Sequence, residues 1–326
     1  MDMISLNSIS FLVPVQAALQ EVETVLHSQA ENAQPDLRAA VEHLLSSGGK
    51  RIRPVICLLT GQMLDGDHDK LTSLAAAVEM LHTATLVHDD LIDGALLRRG
   101  MPTLNARWSP AATILTGDYM FARAAKLAAE TNTLPLMKLF AETLAVIVNG
   151  ELTQLFASRG VISRENYNKR IYSKTASLFE MTTSAAAMVS PVDEATVRAM
   201  GHYGYNLGMA FQIVDDILDF TGEQETVGKP VGSDLLQGLV TLPAIYYAEA
   251  HPNDPDVLCL TGGCYTEQER MERLVQSIRA SSATSNSMKE AHQFIANAQE
   301  ILKNMPASQE RQALEELADY IVNRSI

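Results

Sequence analysis

Two short segments of this sequence carry three aspartates in the same spacing. The segments are "LVHDDLID" (86–93) and "QIVDDILD" (212–219), and in both the aspartates occupy positions i, i+1 and i+4. On an α-helix, residues i and i+4 share one face, so the first and third carboxylates of each segment would project together. Neighbouring carboxylates repel one another unless a cation lies between them, and a set of oxygen ligands favours Mg²⁺ or Mn²⁺ over zinc. The spacing therefore predicts two acidic metal-binding clusters, with the ligands Asp89, Asp90, Asp93, Asp215, Asp216 and Asp219.

A single Asp-Asp-x-x-Asp segment is also typical of a solvated helix face. Here both segments lie among apolar residues, such as Leu86 and Val87 in the first and Ile213 and Val214 in the second. Such neighbours indicate helices that are partly packed in a core. The repetition and the apolar flanks together favour a binding site over a solvated face.

Basic residues of the kind that bind phosphate oxygens stand close to both clusters in the sequence. Arginine presents a planar pair of donors to phosphate, and lysine presents a compact charge. Each of these residues alone is more typical of an ordinary surface charge than of a phosphate site, so the hypothesis depends on the set. Its members are Lys50, Arg51 and Arg53 in the glycine-rich loop 46–54, Arg98 and Arg99 after the first cluster, Lys174 with Thr175, and Lys229. Together with bound metal, they predict a site for a polyphosphate ester.

The elements that must position these residues are predicted to be helices. Almost every long segment repeats apolar residues with the period of an α-helix, and no run alternates convincingly like a strand. The period predicts helices over 15–30, 36–46, 53–64, 70–92, 110–130, 134–157, 164–169, 173–189, 194–220, 239–250, 266–280, 286–304 and 307–323. The chain is therefore predicted to be all-α, a single domain over residues 1–326 whose helices enclose a cavity.

Composition limits the classes of protein to which this chain can belong. The 326 residues carry a formal charge of −14, which argues against non-specific binding of nucleic acid or of anionic lipid. No segment is long, apolar and uncharged enough to predict a transmembrane helix, and the N-terminal segment lacks the basic region of a secretory signal. The three cysteines, Cys57, Cys259 and Cys264, show no Cys-x-x-Cys spacing and are expected to be reduced thiols. We therefore expect a soluble cytoplasmic protein.

Five blocks of this sequence, taken in order, resemble the motifs of the trans-type polyprenyl diphosphate synthases. They are "GGKRIRP" (48–54), "EMLHTATLVHDDLIDGALLRRG" (79–100), "YSKTASLF" (172–179), "GMAFQIVDDILDF" (208–220) and "GKPVGSDLLQG" (228–238). The resemblance extends over essentially the whole chain. It implies the isoprenoid synthase fold, a helical bundle around a deep central cavity with the two acidic clusters facing each other at its mouth. It also implies that the aspartates bind bridging Mg²⁺ ions, directly through Asp89, Asp93 and Asp215 and through water for the others.

The resemblance also implies roles for the basic and polar residues. Positions that hold isopentenyl diphosphate correspond to Lys50, Arg53, His82 and Arg99. Positions on the allylic diphosphate side correspond to Arg98, Lys174, Thr175, Gln212 and Lys229. The residues implied to act in ionising the allylic diphosphate are Asp89, Asp90, Asp93, Asp215, Asp216, Lys174 and Lys229. One departure is Leu239, which stands where many family members have a lysine and weakens the case for one phosphate contact.

The implied reaction joins isopentenyl diphosphate to an allylic diphosphate, with farnesyl or geranylgeranyl diphosphate as the expected primer. Mg²⁺ and the basic residues would neutralise the departing diphosphate. The alkene would then attack the allylic cation, and loss of a proton would leave a trans product longer by one isoprene unit. No enzyme nucleophile is required, and we find no set of residues that predicts one. The loop 221–234 is the candidate lid that would exclude water.

The length of the product is expected to depend on the helix that carries the first cluster. In the family, bulky aromatic residues one turn before this cluster close the tunnel that receives the growing chain, and here Ala84 stands there. Ala76 and Ala77 would deepen the tunnel. Val146 or Ile147 is the candidate for a deeper stop, the residue that closes the tunnel farther from the acidic cluster. We therefore expect a product of about C30 or longer, such as a quinone side chain.

Other assemblies and functions remain as alternatives. Family members are usually homodimers, so a homodimer is expected, with a hetero-oligomer as the alternative. A non-catalytic subunit of the same fold would be expected to lose one acidic cluster, and a terpene cyclase would lack the "GGKRIRP" block. A helical metal-storage protein would need Glu and Glu-x-x-His ligands, which we do not find in the sequence. The sequence favours a synthase over these three.

Overall fold

The computed structural model describes residues 10–46, 48–98, 100–222 and 231–324, and nearly all of their regular structure is helical. The α-helices are α1 (Gln16–Ser28), α2 (Pro35–Ser46), α3 (Ile52–Met63), α4 (His68–Ile92), α5 (Leu104–Arg107), α6 (Pro110–Glu130), α7 (Leu134–Phe156), α8 (Arg164–Ile171), α9 (Ser177–Met188), α10 (Glu194–Thr221), α11 (Ser233–Leu236), α12 (Leu242–Ala250), α13 (Pro255–Thr261), α14 (Gln268–Ala280), α15 (Ala283–Leu302) and α16 (Gln309–Asn323). The other elements are a 3₁₀-helix (Ser10–Val15), a π-helix (Tyr172–Ala176) and the antiparallel strands β1 (Leu97–Arg98) and β2 (Met101–Pro102). The prediction of an all-α chain is confirmed.

The helix α4, which carries the first acidic cluster, forms for local reasons. Asp67 caps its start, because the Asp67 side chain accepts a hydrogen bond from the backbone N–H of Lys70 at 3.0 Å. The alanines and leucines that follow are strong helix formers. Leu74 and Leu81 are fully buried, and burying each such side chain contributes roughly 2 kcal/mol. These features explain why the predicted helix 70–92 agrees closely with His68–Ile92.

Some stretches differ from the predicted helices, among them α13 and the start of α15. The sequence pattern does not predict α13, because seven residues are too few to show a period. Asp254 nevertheless caps this helix by accepting hydrogen bonds from the backbone N–H groups of Asp256 and Val257. The polar residues before the predicted helix 286–304 are also helical, since α15 begins at Ala283.

The chain forms two compact units. The described residues of the first unit fall within Met1–Glu142, Met181–Gly201 and Met305–Glu316. In this unit α4 packs against α1, α3 and α6. Those of the second unit fall within Thr143–Glu180, His202–Asn304 and Leu317–Ile326, where α12 packs against α15 and α13 packs against α14. The single domain over 1–326 stays a prediction.

The cysteines differ from the sequence expectation. Cys259 and Cys264 form a disulfide bond in the second unit, so the expectation of reduced thiols is wrong for this pair. The two residues lie close because the chain turns between α13 and α14, where the backbone N–H of Cys264 donates to the carbonyl of Cys259 at 3.0 Å. Cys57 is free and fully buried, and burial raises the pKa of its thiol far above the usual range.

None of the helices that the structure describes combines the length and the apolar character needed to cross a lipid bilayer.

Candidate active site

The first acidic cluster lies at the C-terminal end of α4. Asp89 is half-buried and Asp93 is exposed, and the helical spacing places them on one face. The helix ends here because Gly94 adopts a left-handed conformation, with φ of 63°, and the backbone N–H of Ala95 donates to the carbonyl of Asp90 at 2.9 Å. A helix C-terminus carries partial negative charge, so these carboxylates add to a potential that attracts cations.

Asp90 differs from its two neighbours because its carboxylate has a cationic partner within the protein. Asp90 is 6% exposed, and its Oδ1 accepts a hydrogen bond from Arg98 Nε at 2.8 Å. Arg98 lies on β1 and is itself half-buried. The pair places a predicted ligand of the allylic diphosphate beside the first cluster. The role of Asp90 in binding metal through water stays a prediction.

The three cations of the glycine-rich loop lie in different environments. Lys50 is exposed, and Arg53 is half-buried in the first turn of α3. Arg51 is directed into the protein, where its guanidinium binds the carboxylates of Glu23 and Glu79. The hypothesis that all three bind phosphate is therefore not supported for Arg51.

Helix α4 carries the other residues that the sequence assigns to substrate binding and product length. His82 is half-buried and lies seven residues, or about two turns, before Asp89. The alanines expected to line the tunnel, Ala76, Ala77 and Ala84, are all 0% exposed. Their role in a tunnel for the growing chain stays a prediction.

The candidates for the deeper stop belong to α7 in the second unit. Ile147 is buried and Val146 is half-buried. Their proposed contact with the growing chain stays a prediction.

In the second cluster, Asp215 is bound by an arginine from the C-terminal part of the chain. Arg324 Nη2 donates to Asp215 Oδ1 at 2.5 Å and to the carbonyl of Phe211 at 2.8 Å. The guanidinium carbon also lies 3.9 Å from the centre of the Phe211 ring, within the range of a cation–π contact. Asp215 keeps 42% of its side chain exposed, whereas Arg324 is 10% exposed. A half-exposed carboxylate thus has one buried cationic partner.

Asp216 is buried and is held by hydrogen bonds within the second unit. Its Oδ2 accepts the hydroxyl of Tyr167 at 2.8 Å, and its Oδ1 accepts the amide of Gln212 at 2.9 Å. Burial, helped by the charge of Asp234, raises the pKa of Asp216 to about 7, although the two hydrogen bonds and the charge of Arg170 act in the opposite direction. The same burial raises the pKa of Tyr167 well above its usual value.

Asp219 connects the end of α10 to the start of α11. Its Oδ1 accepts the backbone N–H and the hydroxyl of Ser233 at 3.1 and 2.8 Å, and its Oδ2 accepts the backbone N–H of Asp234 at 3.3 Å. Its own carbonyl accepts the backbone N–H of Gly232 at 2.8 Å. Asp219 therefore satisfies backbone donors at a helix start as well as adding charge to the cluster.

Lys174 and Thr175 lie on the π-helix between α8 and α9. Thr175 is buried and donates its hydroxyl to Gln212 Oε1 at 2.6 Å, whereas Lys174 is exposed. Turns of π-helix within α-helices are frequent at functional sites. Two residues predicted on the allylic side, Thr175 and Gln212, are thus hydrogen-bonded to each other, and Gln212 also donates a hydrogen bond to Asp216.

The donor chemistry of both clusters fits a divalent metal such as Mg²⁺. Within the described ranges, the only three His, Cys, Asp or Glu side chains whose ligand atoms lie within 4.8 Å of one another are Cys259, Cys264 and Glu267, of which two are joined by the disulfide. Neither acidic cluster alone gathers three ligand atoms. Mg²⁺ commonly takes only one or two carboxylates and completes its octahedron with water and substrate phosphate. The aspartates therefore suit Mg²⁺ that arrives with a diphosphate.

Some predicted residues lie outside the described ranges. They are Arg99, Lys229 and most of the candidate lid 221–234. Their roles stay predictions.

The structure also shows residues that sequence reasoning missed. Tyr167 and Arg324 contact the second cluster, but neither belongs to a spacing that includes the aspartates. Glu79 begins the block "EMLHTATLVHDDLID", so its position within that block was a signal, although nothing in the sequence pairs it with Arg51.

Known proteins resemble this chain along most of its length. A sequence model described as polyprenyl synthetase matches residues 34–279. The chain is 38% identical over 304 residues to heptaprenyl diphosphate synthase component 2 of Bacillus subtilis, which covers 93% of this chain and 87% of that protein. It is 33% identical over 330 residues to octaprenyl diphosphate synthase of Haemophilus influenzae, with coverage of 99% and 98%. The crystal structure of polyprenyl synthase from Caulobacter crescentus, complexed with calcium and isoprenyl diphosphate, has a TM-score of 0.89 and 36% identity, with 97% of each chain covered.

Proposed function

The chain belongs to the polyprenyl synthetase family and is a prenyltransferase, and from this we propose that it makes a long all-trans polyprenyl diphosphate. The observation that carries the proposal is the 38% identity with heptaprenyl diphosphate synthase component 2 along 93% of the chain. The names of the heptaprenyl and octaprenyl relatives support a product of about C30 or longer. We propose that this product supplies a quinone side chain.

The proposed acceptor substrate is isopentenyl diphosphate. Lys50, Arg53 and His82 would hold its diphosphate, together with Arg99. The exposure of Lys50 supports this role, because an incoming anion can approach this residue from the solvent. Arg53 and His82 are half-buried, so a diphosphate bound there would be partly removed from water, where charge–charge attraction is stronger.

The proposed donor substrate is an allylic diphosphate, such as farnesyl or geranylgeranyl diphosphate. Arg98, Lys174 and Lys229 would supply positive charge to it. The hydrogen bond from Thr175 to Gln212 fixes the direction of the Gln212 amide and so prepares a polar group for the substrate.

The proposed metal is Mg²⁺, with Mn²⁺ as a substitute. Asp89, Asp93 and Asp215 would bind it directly, and the hydrogen-bonded carboxylates of Asp90, Asp216 and Asp219 would act through water. When bound, Mg²⁺ supplies positive charge that offsets the charge developing on the departing diphosphate.

The proposed chemistry needs no nucleophile from the protein. The C–O bond of the allylic diphosphate breaks, and the alkene of isopentenyl diphosphate forms the new C–C bond. Formation of this bond leaves positive charge on the tertiary carbon of the isopentenyl unit. A proton then leaves from the carbon between that tertiary carbon and the diphosphate-bearing carbon, which gives the new allylic double bond, and the released diphosphate accepts the proton. The lysines and arginines contribute by holding donors in place before the charge develops, so little reorganisation is needed during the reaction.

The test is an elongation assay with labelled isopentenyl diphosphate, Mg²⁺ and each of three primers, namely dimethylallyl, farnesyl and geranylgeranyl diphosphate. We expect labelled products of about C30 or longer, separated by chain length after dephosphorylation. A final product of farnesyl or geranylgeranyl length would contradict the proposed length. Absence of any elongation would contradict the proposed reaction. Chelation of the metal with EDTA should abolish turnover, and added Mg²⁺ should restore it.

Substitution of the aspartates tests the proposed metal ligands. Asp93→Asn and Asp215→Asn should each lower kcat about a hundredfold or more, because a ligand that acts on the transition state is lost. Asp69→Asn is the matched control, since Asp69 is an exposed aspartate at the other end of α4. Equal losses in the control and the two cluster variants would contradict the assignment.

We further propose that the chain works as a cytoplasmic homodimer. Four apolar side chains on one face of α7 support the dimer: Val148, Leu152, Leu155 and Phe156 are between 47% and 81% exposed. Exposed apolar patches of this kind mark interaction surfaces. The relative named component 2 supports the hetero-oligomer as the alternative.

A further inference from the structure

Arg51 has an unusual backbone conformation in the glycine-rich loop. With φ of 48° and ψ of 33° it is left-handed, a conformation that residues other than glycine rarely adopt. Such a residue keeps this conformation only when its surroundings hold it there. Its side chain is 11% exposed, so the cause is to be found inside the protein.

The guanidinium of Arg51 is held by acceptors from three helices of the first unit. Nε donates to Glu23 Oε1 at 2.5 Å, and Nη1 donates to Glu79 Oε1 at 2.9 Å. Nη2 donates to the carbonyl of Leu45 at 3.0 Å and to Glu23 Oε2 at 3.3 Å. These acceptors belong to α1, α2 and α4, while Arg51 itself precedes α3. One side chain therefore ties the glycine-rich loop to three helices.

The elements that Arg51 joins carry the residues proposed to bind isopentenyl diphosphate. Lys50 directly precedes Arg51, and Arg53 follows two residues later. Glu79 is 5% exposed and lies three residues, or about one turn, before His82 on α4. The ion pair between Arg51 and Glu79 thus fixes the loop that bears two of these residues against the helix that bears the third.

We infer that Arg51, with Glu23 and Glu79, is a positioning group for the isopentenyl diphosphate subsite: it touches no substrate and sets the placement of Lys50 and Arg53 relative to His82. This inference rests on the proposed function. Arginine suits the task better than lysine, because its planar fork reaches both carboxylates and the carbonyl at once.

The test compares Arg51→Lys and Arg51→Gln with the unchanged protein in steady-state kinetics for each substrate. Arg51→Lys keeps the positive charge but loses the planar set of N–H donors, and Arg51→Gln loses both the charge and that set of donors. We expect KM for isopentenyl diphosphate to rise about tenfold in Arg51→Lys and further in Arg51→Gln, because a small displacement of binding groups is costly. KM for the allylic diphosphate should stay within about twofold of its original value.

A matched control is available in the second unit. Arg164 also lies between two glutamates, with Nε at 2.9 Å from Glu249 and Nη1 at 3.1 Å from Glu290. Arg164→Lys should lower the melting temperature. It should not raise KM for isopentenyl diphosphate relative to KM for the allylic diphosphate. If Arg51→Lys likewise lowers only the melting temperature, or raises both KM values equally, the positioning role is wrong. Should Arg51→Gln fail to fold, Glu23→Gln is the substitute, because it removes one half-exposed carboxylate. It should also raise KM for isopentenyl diphosphate more than KM for the allylic diphosphate, by a smaller factor than Arg51→Lys.

Calorimetric titration with isopentenyl diphosphate distinguishes failure of this inference from failure of the proposed function. If the unchanged protein binds isopentenyl diphosphate but elongates no primer, the proposed reaction fails, and a weaker Kd in Arg51→Lys still supports the positioning role. If the unchanged protein elongates but Arg51→Lys binds isopentenyl diphosphate equally well, the positioning role fails alone. If the unchanged protein does not bind isopentenyl diphosphate, both are overturned.

Discussion

Asp216 is buried, yet its carboxylate keeps two hydrogen-bond donors, the Tyr167 hydroxyl and the Gln212 amide. A buried carboxylate without donors is costly, because its charge has lost the stabilisation that water provided. Tyr167 is 1% exposed, so water cannot readily replace its hydroxyl if it is removed. This pair therefore contributes to stability independently of any bound metal.

Removing the Tyr167 hydroxyl should destabilise the protein. We expect Tyr167→Phe to lower the free energy of unfolding by about 2 kcal/mol, because a buried acceptor loses its partner. Urea denaturation in EDTA measures this without a contribution from metal. Tyr246→Phe is the control, since Tyr246 also donates to a carboxylate, that of Glu290 at 2.8 Å, but is half-exposed. An equal or larger cost in the control would contradict the interpretation.

The cysteines allow a second prediction for single residues. In the folded protein without reductant, no thiol should react with Ellman's reagent at pH 8, because burial raises the pKa of Cys57 and the other two cysteines are joined. After denaturation one thiol per chain should react, and after reduction and denaturation three. Three reactive thiols in denaturant without reductant would show that the disulfide is absent.

The sequence alone identifies the residues that act through their type and spacing, and misses those that act through a long-range contact. The aspartates repeat a local pattern, so both clusters can be predicted. Arg51 and Arg324 cannot, because their partners lie 28 and 109 positions away along the chain. Only the packing of helices brings such residues together.

At the scale of the elements, the π-helix and α10 approach each other closely at Gly208. A Cβ atom at Gly208 would lie 2.6 Å from the Cα of Ala176, which is a clash with backbone. Glycine is required here because nothing larger fits. The close approach allows Thr175 to reach Gln212 at 2.6 Å.

Replacing Gly208 should therefore damage both stability and the allylic side of the site. We expect Gly208→Ala to lower the free energy of unfolding by about 2 kcal/mol through overpacking, despite the better helix propensity of alanine. We also expect kcat/KM for the allylic diphosphate to fall about tenfold as Thr175 and Gln212 separate. His202→Ala, on the exposed face of α10, serves as the control and should change stability by less than about 0.5 kcal/mol. An unchanged stability in Gly208→Ala would contradict the predicted clash.

Most of the long helices can be predicted because the apolar period is local and repeated. The start of α4 agrees with the prediction to within two residues, with residue 70 predicted and His68 observed. The π-helix cannot be predicted, because residues 173–189 keep an ordinary helical period that gives no sign of a wider turn. The short α13 cannot be predicted either, because a capping residue alone, without a repeated apolar period, is weak evidence for a helix.

At the scale of the whole molecule, the relevant surface feature is the exposed apolar face of α7. Val148, Leu152, Leu155 and Phe156 follow the spacing i, i+4, i+7 and i+8, which places them on one side of the helix. A chain with a formal charge of −14 resists non-specific association through charge repulsion. Association through this face would therefore depend on the apolar patch.

Charging the α7 face should produce monomers. We expect the double variant Leu152→Asp and Phe156→Asp to elute with the mass of one chain in size-exclusion chromatography with light scattering, and the unchanged protein with the mass of two. Thr153→Asp, which adds a charge at an exposed position between them, should stay dimeric. A dimeric double variant would contradict the proposed interface. A monomeric unchanged protein would favour the hetero-oligomer.

The π-helix also has a consequence for how this protein tolerates the loss of residues. A π-turn contains one residue more than the corresponding turn of an α-helix. The helices before and after it keep the register that they would have without that extra residue. Deleting one residue from a regular helix rotates everything beyond it by about 100° and usually ruins the packing. Deleting one residue from Tyr172–Ala176 should instead restore a regular helix and leave α8 and α9 in register. A deletion scan should therefore find a narrow window here in which the chain still folds but has lost the placement of Lys174 and Thr175.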